Sequence, residues 1–223
     1  MTKSLFAQAM IKFICGVILI GALIFLPAGT LNFWQGWLFM GVLFIPMFLA
    51  GLVMMWKNPG LLAKRLDAKE KEMEQSLVIK LSGLMFLCAF IVAGLDHRFQ
   101  WSNLDPLVVL IATGVFLLSY ALYGEVLRVN TYLSRTIQVE ADQKVIDTGL
   151  YGVVRHPMYM ATLLLFLSMP LILGSVYSFF ILLVYPALII KRLKHEEELL
   201  LQELEGYDEY MKKVKYRLIP FIW

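Results

Sequence analysis

The sequence predicts an all-α protein, a polytopic transmembrane helical bundle of about six membrane segments with a C-terminal helical hairpin and a cytosolic C-terminal cap. Of its 223 residues, 60% are hydrophobic and only 17% are charged, against roughly 25% charged in an ordinary soluble domain. One compact core of this size cannot bury so many apolar side chains, which excludes soluble, disordered and disulfide-stapled secreted proteins. Two long runs without charge, 13–56 and 157–190, supply most of the predicted spans.

The first charge-free run is too long for one span and must fold back once. As a single helix it would measure about 66 Å, twice the hydrocarbon thickness of a bilayer. The break is predicted at Pro27-Ala28-Gly29-Thr30, with Trp34 and Trp37 placed like interfacial anchors. We therefore expect the first span at 10–27 and the second at 35–56.

Residues 57–80 form a charged linker in which basic and acidic side chains alternate, a pattern typical of a solvated helix. The third span is predicted at 77–95. The fourth is predicted at 106–125, where Pro106 follows Asp105 in the manner of a helix start.

The second charge-free run is too long for one straight span and too short for two full ones. Pro170 and the pair Gly174-Ser175 interrupt it. These breaks predict a tight helical hairpin with arms at 157–172 and 176–191. The remaining tail, 191–223, is charged and forms the predicted cap.

The basic residues predict the orientation of the bundle. If the N-terminus, 57–80, 125–156 and 191–223 share one side, that side carries 19 of the 20 Lys and Arg residues, and the other side keeps only Arg98. Basic loops are retained in the cytosol, so both termini and the longer polar segments are expected there. The protein is predicted to be a multi-pass integral membrane protein.

Two polar segments border the hairpin and are brought together because both of its ends lie at one membrane face. The first contains Arg155-His156-Pro157, whose proline suits a first helical turn with N–H groups that favour an anion. The second presents Arg192 and Glu196 on one helical face because they are four residues apart. Taken singly, these residues also fit interfacial anchors or a solvated surface.

These motifs resemble the isoprenylcysteine carboxyl methyltransferase family, which is related to the phospholipid N-methyltransferases. The resemblance covers 125–223 and rests on Gly149-x-Tyr151-x-x-x-Arg155-His156-Pro157-x-Tyr159, Arg192-x-x-x-Glu196-Glu197, Leu204-x-Gly206-Tyr207-x-x-Tyr210 and Val214-x-Tyr216-Arg217-Leu218-Ile219-Pro220. It implies a catalytic methyltransferase region at 126–223, behind an N-terminal unit of transmembrane helices at 1–125. Leu150 and Ala161 depart from the family pattern, and we expect them to change shape without loss of activity.

The resemblance implies an enzyme that takes a methyl group from S-adenosylmethionine. The predicted catalytic residues are Arg192 and Glu197, and Arg192 is also the predicted substrate-binding residue. The implied cofactor-binding residues are Gln138, Gln143, Lys144, Val145, Ile146, Tyr151, His156, Pro157, Met158, Tyr159 and Glu196. No metal is expected, because three scattered histidines without a cysteine cluster give no ligand spacing. No nucleic acid is expected as a partner either.

The predicted acceptor is a lipid-like or prenylated molecule that enters from the bilayer between spans. A carboxylate is already ionised at neutral pH, and a forked guanidinium such as that of Arg192 can hold it with two hydrogen bonds. This favours the carboxylate of an isoprenylcysteine-like substrate. An amine would need a carboxylate base, for which Glu197 is available, so a phospholipid amine stays open, as does a small thiol.

Two other protein classes also stay open. An NADPH-dependent membrane reductase of sterol-like or enoyl lipids shares a similar C-terminal architecture, although the tail from Tyr210 to Pro220 favours the methyl donor. A transporter or structural membrane protein is the other class. The predicted spans carry charges only near their ends, at Lys12, Lys80 and Glu125, which argues against ion transport.

Overall fold

The computed structural model describes residues 3–66, 73–133, 139 and 142–223, and every regular element in that part of the chain is helical. The predicted all-α bundle is confirmed. In chain order the helices are α1 (Lys3–Ala28), α2 (Trp34–Lys57), α3 (Pro59–Leu66), α4 (Met73–Phe99), α5 (Pro106–Val129), a 3-10 turn (Gly149–Gly152), α6 (Pro157–Ile172), α7 (Val176–Leu182), α8 (Tyr185–Glu203) and α9 (Tyr207–Lys213).

Five helical stretches in the described residues are long and apolar enough to cross a membrane. They are Ser4–Ala28, Trp34–Lys57, Leu77–Phe99, Pro106–Val129 and Val176–Glu203, and the last of them joins α7 to α8. The apolar helix α6 is shorter, at 16 residues. Five long spans and one short one agree with the predicted count of about six membrane segments.

The structure has the predicted break between the first two spans and the predicted start of the fourth span. The helices α1 and α2 are separated between Ala28 and Trp34. Helix α5 begins at Pro106, and the Asp105 side chain accepts a hydrogen bond from the Leu107 amide at 2.7 Å, which satisfies a free N–H of the first turn. The predicted linker helix at 57–80 is in part α3 and in part the start of α4, and residues 67–72 lie outside the described residues.

The hairpin differs from its prediction in the second arm. The first arm, α6, has the predicted bounds, and Ser175 caps α7 by accepting from the Ser178 amide at 3.1 Å. The predicted end of the second arm at 191 is wrong, because α8 continues to Glu203. The segment after 191 is rich in Lys, Leu, Glu and Gln, all strong helix formers, and the helix ends only ahead of Gly206.

The helices pack around a core that includes Ile24, Phe39, Phe116, Ile172 and Leu193, all of them fully buried. Helix α5 packs along α6, α1 along α4, and α4 along α7. We call the end where α2, α5 and α8 finish and α6 begins the charged end. The end where α1 and α4 finish and α6 turns into α7 is the opposite end.

A buried carboxylate holds the opposite end together. The Asp96 carboxylate, in a residue only 2% exposed, accepts from the Ser102 amide and the Ser102 hydroxyl, each at 2.7 Å. It also accepts from the Ser175 hydroxyl. These bonds tie the end of α4 and the loop before α5 to the α6–α7 turn, which fixes the hairpin in the bundle.

Candidate functional site

A pocket opens at the charged end, bounded by the segment that follows α5, the 3-10 turn, the first turn of α6, and the helices α8 and α9. Together with the solvent at its mouth it encloses about 880 Å³. The two polar segments that the sequence placed beside each other both contribute to it, through His156 and Tyr159 on one side and Arg192 and Glu196 on the other. The hairpin therefore builds one pocket from two distant pieces of the chain.

A buried ion-pair network forms one wall of this pocket. The Glu197 carboxylate, in a residue only 3% exposed, accepts from Arg155 Nε at 2.7 Å and from Arg217 Nε at 2.8 Å. His156 Nε2 lies 3.3 Å from the same carboxylate. A buried carboxylate is tolerated when its lone pairs are matched by donors in this way, and removing a single partner from such a network is costly.

The same wall is closed by backbone contacts between the start of α6 and the tail after α9. The Arg155 amide donates to the Tyr216 carbonyl and the His156 amide to the Arg217 carbonyl, each at 2.9 Å. Arg155 Nη1 also donates to the carbonyls of Val214 at 2.8 Å and Lys215 at 2.9 Å. Arg155 thus joins three parts of the chain, and it also lines the pocket.

Tyr159 links the two charged residues of α8 that face the pocket. Arg192 Nε donates to the Tyr159 hydroxyl at 3.1 Å, and that hydroxyl donates to the Glu196 carboxylate. Because Tyr159 is only 4% exposed, it holds a guanidinium and a carboxylate side by side at fixed positions. The site can therefore present an anion-binding group and a hydrogen-bond acceptor to one ligand.

Tyr151 anchors the floor of the pocket. Its hydroxyl accepts from Asn130 Nδ2 at 2.9 Å, and its carbonyl accepts from the Tyr210 hydroxyl at 2.7 Å. Burial raises the pKa of Tyr151 to about 12, against a smaller lowering by the Asn130 hydrogen bond. The phenol is consequently neutral at physiological pH.

An apolar cluster, which we call the aromatic corner, covers the far side of the pocket. It consists of the buried residues Leu204, Tyr207, Tyr210 and Val214, with Val139, Val145, Leu200 and Met211 packed against them. The rings of Tyr207 and Tyr210 have centroids 5.6 Å apart. Among the described residues, the buried Tyr207 hydroxyl has no hydrogen-bond partner.

A second space, an apolar groove, lies against the membrane-spanning part of the same helices. It is lined by α5, α6, α7, α8 and the last residues of the tail, including Trp223, and almost all of its surface is apolar. On α6 the lining changes from Tyr159 in the pocket to Met160 in the groove, and on α8 from Arg192 to Ile190. One or two residues span only about 1.5–3 Å along a helix axis, so the pocket and the groove lie at neighbouring levels of the bundle on different faces of α6 and α8.

Most of the predicted site residues come together in this pocket. Arg192, the predicted substrate residue, lines it, as do nine of the eleven implied cofactor-binding residues, which are Gln143, Lys144, Val145, Ile146, Tyr151, His156, Met158, Tyr159 and Glu196. Pro157 is buried at the first position of α6 and is not part of the lining. Gln138 lies outside the described residues.

Glu197, a predicted catalytic residue, occupies a different position from the others. Its carboxylate is enclosed by Arg155, His156 and Arg217 and does not line the pocket. A carboxylate held by two guanidinium groups is poorly suited to accept a proton from a substrate. This environment favours a role in holding the pocket wall together over the predicted catalytic role.

Several pocket residues are missed by reasoning from sequence. Asn130 and Arg155 line the pocket, as do Tyr207 and Tyr210 of the aromatic corner. The Gly-Tyr-x-x-Tyr pattern around 206–210 does mark the two tyrosines as part of a motif, although not as pocket residues. Arg155 sits next to His156 in the motif, and only its distant partners distinguish it from an interfacial anchor.

Comparison with known proteins agrees with the resemblance read from the motifs. Residues 107–206 match the model of the phospholipid methyltransferase family, and the predicted resemblance is confirmed for that part of the chain. The match covers α5, the pocket segments and α6 to α8, which contain most of the pocket lining.

The chain is also similar to a reductase. It is 33% identical over 91 residues to the Delta(14)-sterol reductase TM7SF2 of Mus musculus, which is 40% of this chain and 22% of that protein. The chain thus matches only about a fifth of the length of this relative. Both comparisons concern a part of the chain, and the two groups of proteins that it is similar to carry out different chemistry.

Proposed function

We propose that this protein is an integral membrane methyltransferase that moves a methyl group from S-adenosylmethionine to a membrane-associated acceptor, the carboxylate of an isoprenylcysteine-like molecule. The observation that carries the proposal is the polar pocket that brings Arg192 and Glu196 together with His156, on the same helices α6 and α8 that line an apolar groove. The match of residues 107–206 to phospholipid methyltransferases supports the same reaction class.

The residues of the pocket fit the methyl donor. The aromatic corner offers an apolar surface for a planar base, and the Glu196 carboxylate can accept from a ribose hydroxyl or an ammonium group. The donor supplies an electrophilic methyl group on a positively charged sulfur, so the reaction needs positioning and exclusion of water more than acid–base catalysis.

Arg192 is suited to hold the acceptor. Its Nε donates to the Tyr159 hydroxyl at 3.1 Å, which fixes the orientation of the guanidinium in the pocket. A guanidinium binds a carboxylate with paired, charge-assisted hydrogen bonds. It would place a carboxylate oxygen toward the cofactor without removing any proton, because that acceptor is already ionised.

The groove provides a hydrophobic path for the tail of such a substrate. Its lining residues on α5 and α6, such as Ile111, Leu163 and Leu167, lie in apolar helices, of which α5 is long enough to span the membrane. A prenyl or acyl chain in the groove would remain in an apolar environment while its polar head reached Arg192. We place the pocket and both termini on the cytosolic side, because that side collects nearly all the basic residues.

The reaction is tested by methyl transfer with the full chain in lipid nanodiscs and radiolabelled S-adenosylmethionine. The acceptors are N-acetyl-S-farnesylcysteine, its methyl ester as the blocked control, N-acetylcysteine as the control without a tail, and phosphatidylethanolamine vesicles. We expect label only in the farnesylated acid. Label in phosphatidylethanolamine would replace the carboxylate acceptor by an amine, and no label in any acceptor would overturn the methyltransferase proposal.

The orientation is tested by labelling in intact cells with a membrane-impermeant maleimide. In a background with Cys15 and Cys88 replaced by alanine, Trp101→Cys at the opposite end should react from outside, whereas Glu198→Cys at the charged end should react only after permeabilisation. Both positions are exposed in the described chain. The reverse pattern would place the pocket on the outer face and contradict the proposal.

A reduction with NADPH is the second candidate function, favoured by the similarity to the sterol reductase. The apolar groove accommodates a sterol-like lipid as readily as a prenyl chain. The two functions differ in the cofactor that stabilises the folded protein, because a ligand that binds only the native state raises its apparent stability. Thermal unfolding with S-adenosylmethionine, S-adenosylhomocysteine and NADPH in turn decides between them.

A further inference from the structure

The Tyr207 hydroxyl is a buried donor that the rest of the described chain leaves unsatisfied. Tyr207 lines the pocket and is only 4% exposed, yet its hydroxyl has no hydrogen-bond partner among the described residues. Its neighbour Tyr210 has the same side chain in the same cluster, and there the hydroxyl donates to the Tyr151 carbonyl at 2.7 Å. Buried polar groups are paired in the great majority of native structures, so each exception calls for an explanation.

The surroundings of Tyr207 restrict what can satisfy it. The ring packs among Leu204, Tyr210 and Val214 in an apolar cluster, which suits the face of a flat aromatic ligand. The carboxylates of Glu197 and Glu196 lie close enough to raise the pKa of the Tyr207 phenol further, after burial has raised it. The phenol therefore stays protonated and acts as a donor.

The charged neighbours of the hydroxyl do not favour an anionic partner. Glu197 and Glu196 oppose a second anion there. The nearby guanidinium of Arg155 is already paired with Glu197 at 2.7 Å, as is that of Arg217 at 2.8 Å. A neutral acceptor on an apolar, planar ring meets both conditions. The ring nitrogens of a purine are acceptors of that kind.

We propose that the aromatic corner binds the adenine ring of the cofactor and that the Tyr207 hydroxyl donates a hydrogen bond to one of its ring nitrogens. This inference rests on the proposed function in that the pocket holds an adenine-containing cofactor. It does not depend on which one, because S-adenosylmethionine and NADPH both carry adenine. Tyr207 is then a residue that selects adenine, and in the ligand-free protein its hydroxyl is left as an unsatisfied donor.

The inference predicts two effects of opposite sign for one substitution. Tyr207→Phe removes only the hydroxyl, so it should weaken binding of the cofactor by about tenfold, the loss of one buried hydrogen bond. The same change removes an unsatisfied buried group and should raise the Tm of the ligand-free protein by about 1–4 °C. A purely structural tyrosine would lower Tm or leave it unchanged.

The test uses the full chain in lipid nanodiscs, with calorimetry for binding of S-adenosylhomocysteine and thermal unfolding without ligand. Tyr210→Phe is the matched control, because it removes a paired hydroxyl from the same cluster and should lower Tm. The 1-deaza, 3-deaza and 7-deaza analogues of S-adenosylhomocysteine each lack one ring nitrogen. One of these analogues should bind the wild type about tenfold more weakly than S-adenosylhomocysteine does. The same analogue and S-adenosylhomocysteine should bind Tyr207→Phe equally well.

The remaining outcomes separate this inference from the proposed function. Wild type that binds S-adenosylhomocysteine, together with Tyr207→Phe that binds it equally well or is less stable, would overturn the adenine contact alone. Wild type that binds NADPH and not S-adenosylhomocysteine would overturn the methyltransferase proposal, and Tyr207→Phe would then be tested with NADPH by the same two measurements. Wild type that binds neither ligand would overturn both.

Discussion

In the part of the chain that the structure describes, each end of the bundle buries one carboxylate, and the two are satisfied in different ways. At the charged end Glu197 is held by the side chains of Arg155, Arg217 and His156. At the opposite end the donors to Asp96 among the described residues are all neutral, two of them on Ser102 and one on Ser175. Neutral donors are enough to fix a turn. In the network at the charged end, loss of the Glu197 carboxylate would leave the positive charges of the arginines uncompensated.

Glu197→Gln is expected to have the largest effect, because it leaves two guanidinium groups without their counter-charge. Breaking a buried ion pair costs about 3–5 kcal/mol, so the free energy of unfolding should fall by that amount and the pocket should lose its cofactor affinity. Chemical denaturation and calorimetry with S-adenosylhomocysteine measure both quantities. Glu198→Gln, the exposed neighbour, is the control and should change neither.

A particular result would restore the predicted catalytic role of Glu197. If Glu197→Gln keeps wild-type stability and cofactor affinity and loses only turnover, then the carboxylate acts on the substrate. The Glu197 carboxylate would then not be needed to hold the pocket wall together, and the contrast drawn between the two ends of the bundle would be wrong.

Asp96→Asn removes the same charge at the opposite end and should cost less, about 1–3 kcal/mol. The hydroxyls of Ser102 and Ser175 each accept from a backbone amide, at 3.1 Å, and each gives its one proton to Asp96. An asparagine at this position therefore places its NH2 group, a donor, against a group that can itself only donate. Unfolding should report the loss, while affinity for S-adenosylhomocysteine stays at its wild-type value; a cost equal to that of Glu197→Gln would remove the distinction between the ends.

Within the charged end, Arg192→Lys asks whether catalysis can be separated from stability. A lysine keeps the charge and loses the forked geometry, so the KM for the acceptor should rise about tenfold or more, while Tm should fall only slightly through the loss of the Nε bond to Tyr159. Glu196→Gln should act on the other ligand and raise the Kd of S-adenosylhomocysteine. Lys194→Gln, an exposed cation on the next part of α8, is the control for charge alone. An equal loss in both constants for both variants would contradict this division of roles.

The smallest effect is expected from Asp147→Asn, which breaks an exposed ion pair with Lys213 of 2.7 Å at the charged end. The Lys213 hydrogen bond lowers the pKa of Asp147 below its ordinary value of 3.8. Stabilisation by a group with a lowered folded pKa is fully present above the unfolded value and is lost as the pH falls through the folded one. The small difference in Tm between wild type and variant should therefore be seen at pH 7 and shrink in acid; a difference that grew in acid would reverse the assignment.

Much of the bundle could be predicted because the bilayer imposes simple rules on sequence. Charge-free runs longer than a span, interrupted at Pro27 and at Gly174, are enough to set the number of membrane segments, whereas the further break between α7 and α8 does not follow from this pattern. The bounds of α8 could not be found in this way, because charged helix formers continue a helix beyond the membrane as well as within it. The division of the chain at 125 stays a prediction.

The candidate site could be predicted only as far as local patterns reach. Arg192 and Glu196 share a helical face by spacing, and the structure has them joined through Tyr159. The role of Arg155 depends on Glu197 and Lys215, which are 42 and 60 residues away, and no local pattern marks such partners. The unsatisfied hydroxyl of Tyr207 is likewise a property of packing. The sequence motif contains both Tyr207 and Tyr210 and does not distinguish which of the two hydroxyls is left without a partner.

The wall that joins Arg155 to the tail has a consequence for biosynthesis. Sixty residues separate Arg155 from Lys215, whose carbonyl it needs, and at a translation rate of about 5–20 residues per second that is a wait of roughly 3–12 s. During this interval α6, α7 and α8 are still being made, and the guanidinium does not yet have its full set of later partners. The pocket wall can therefore close only after the tail has been synthesised.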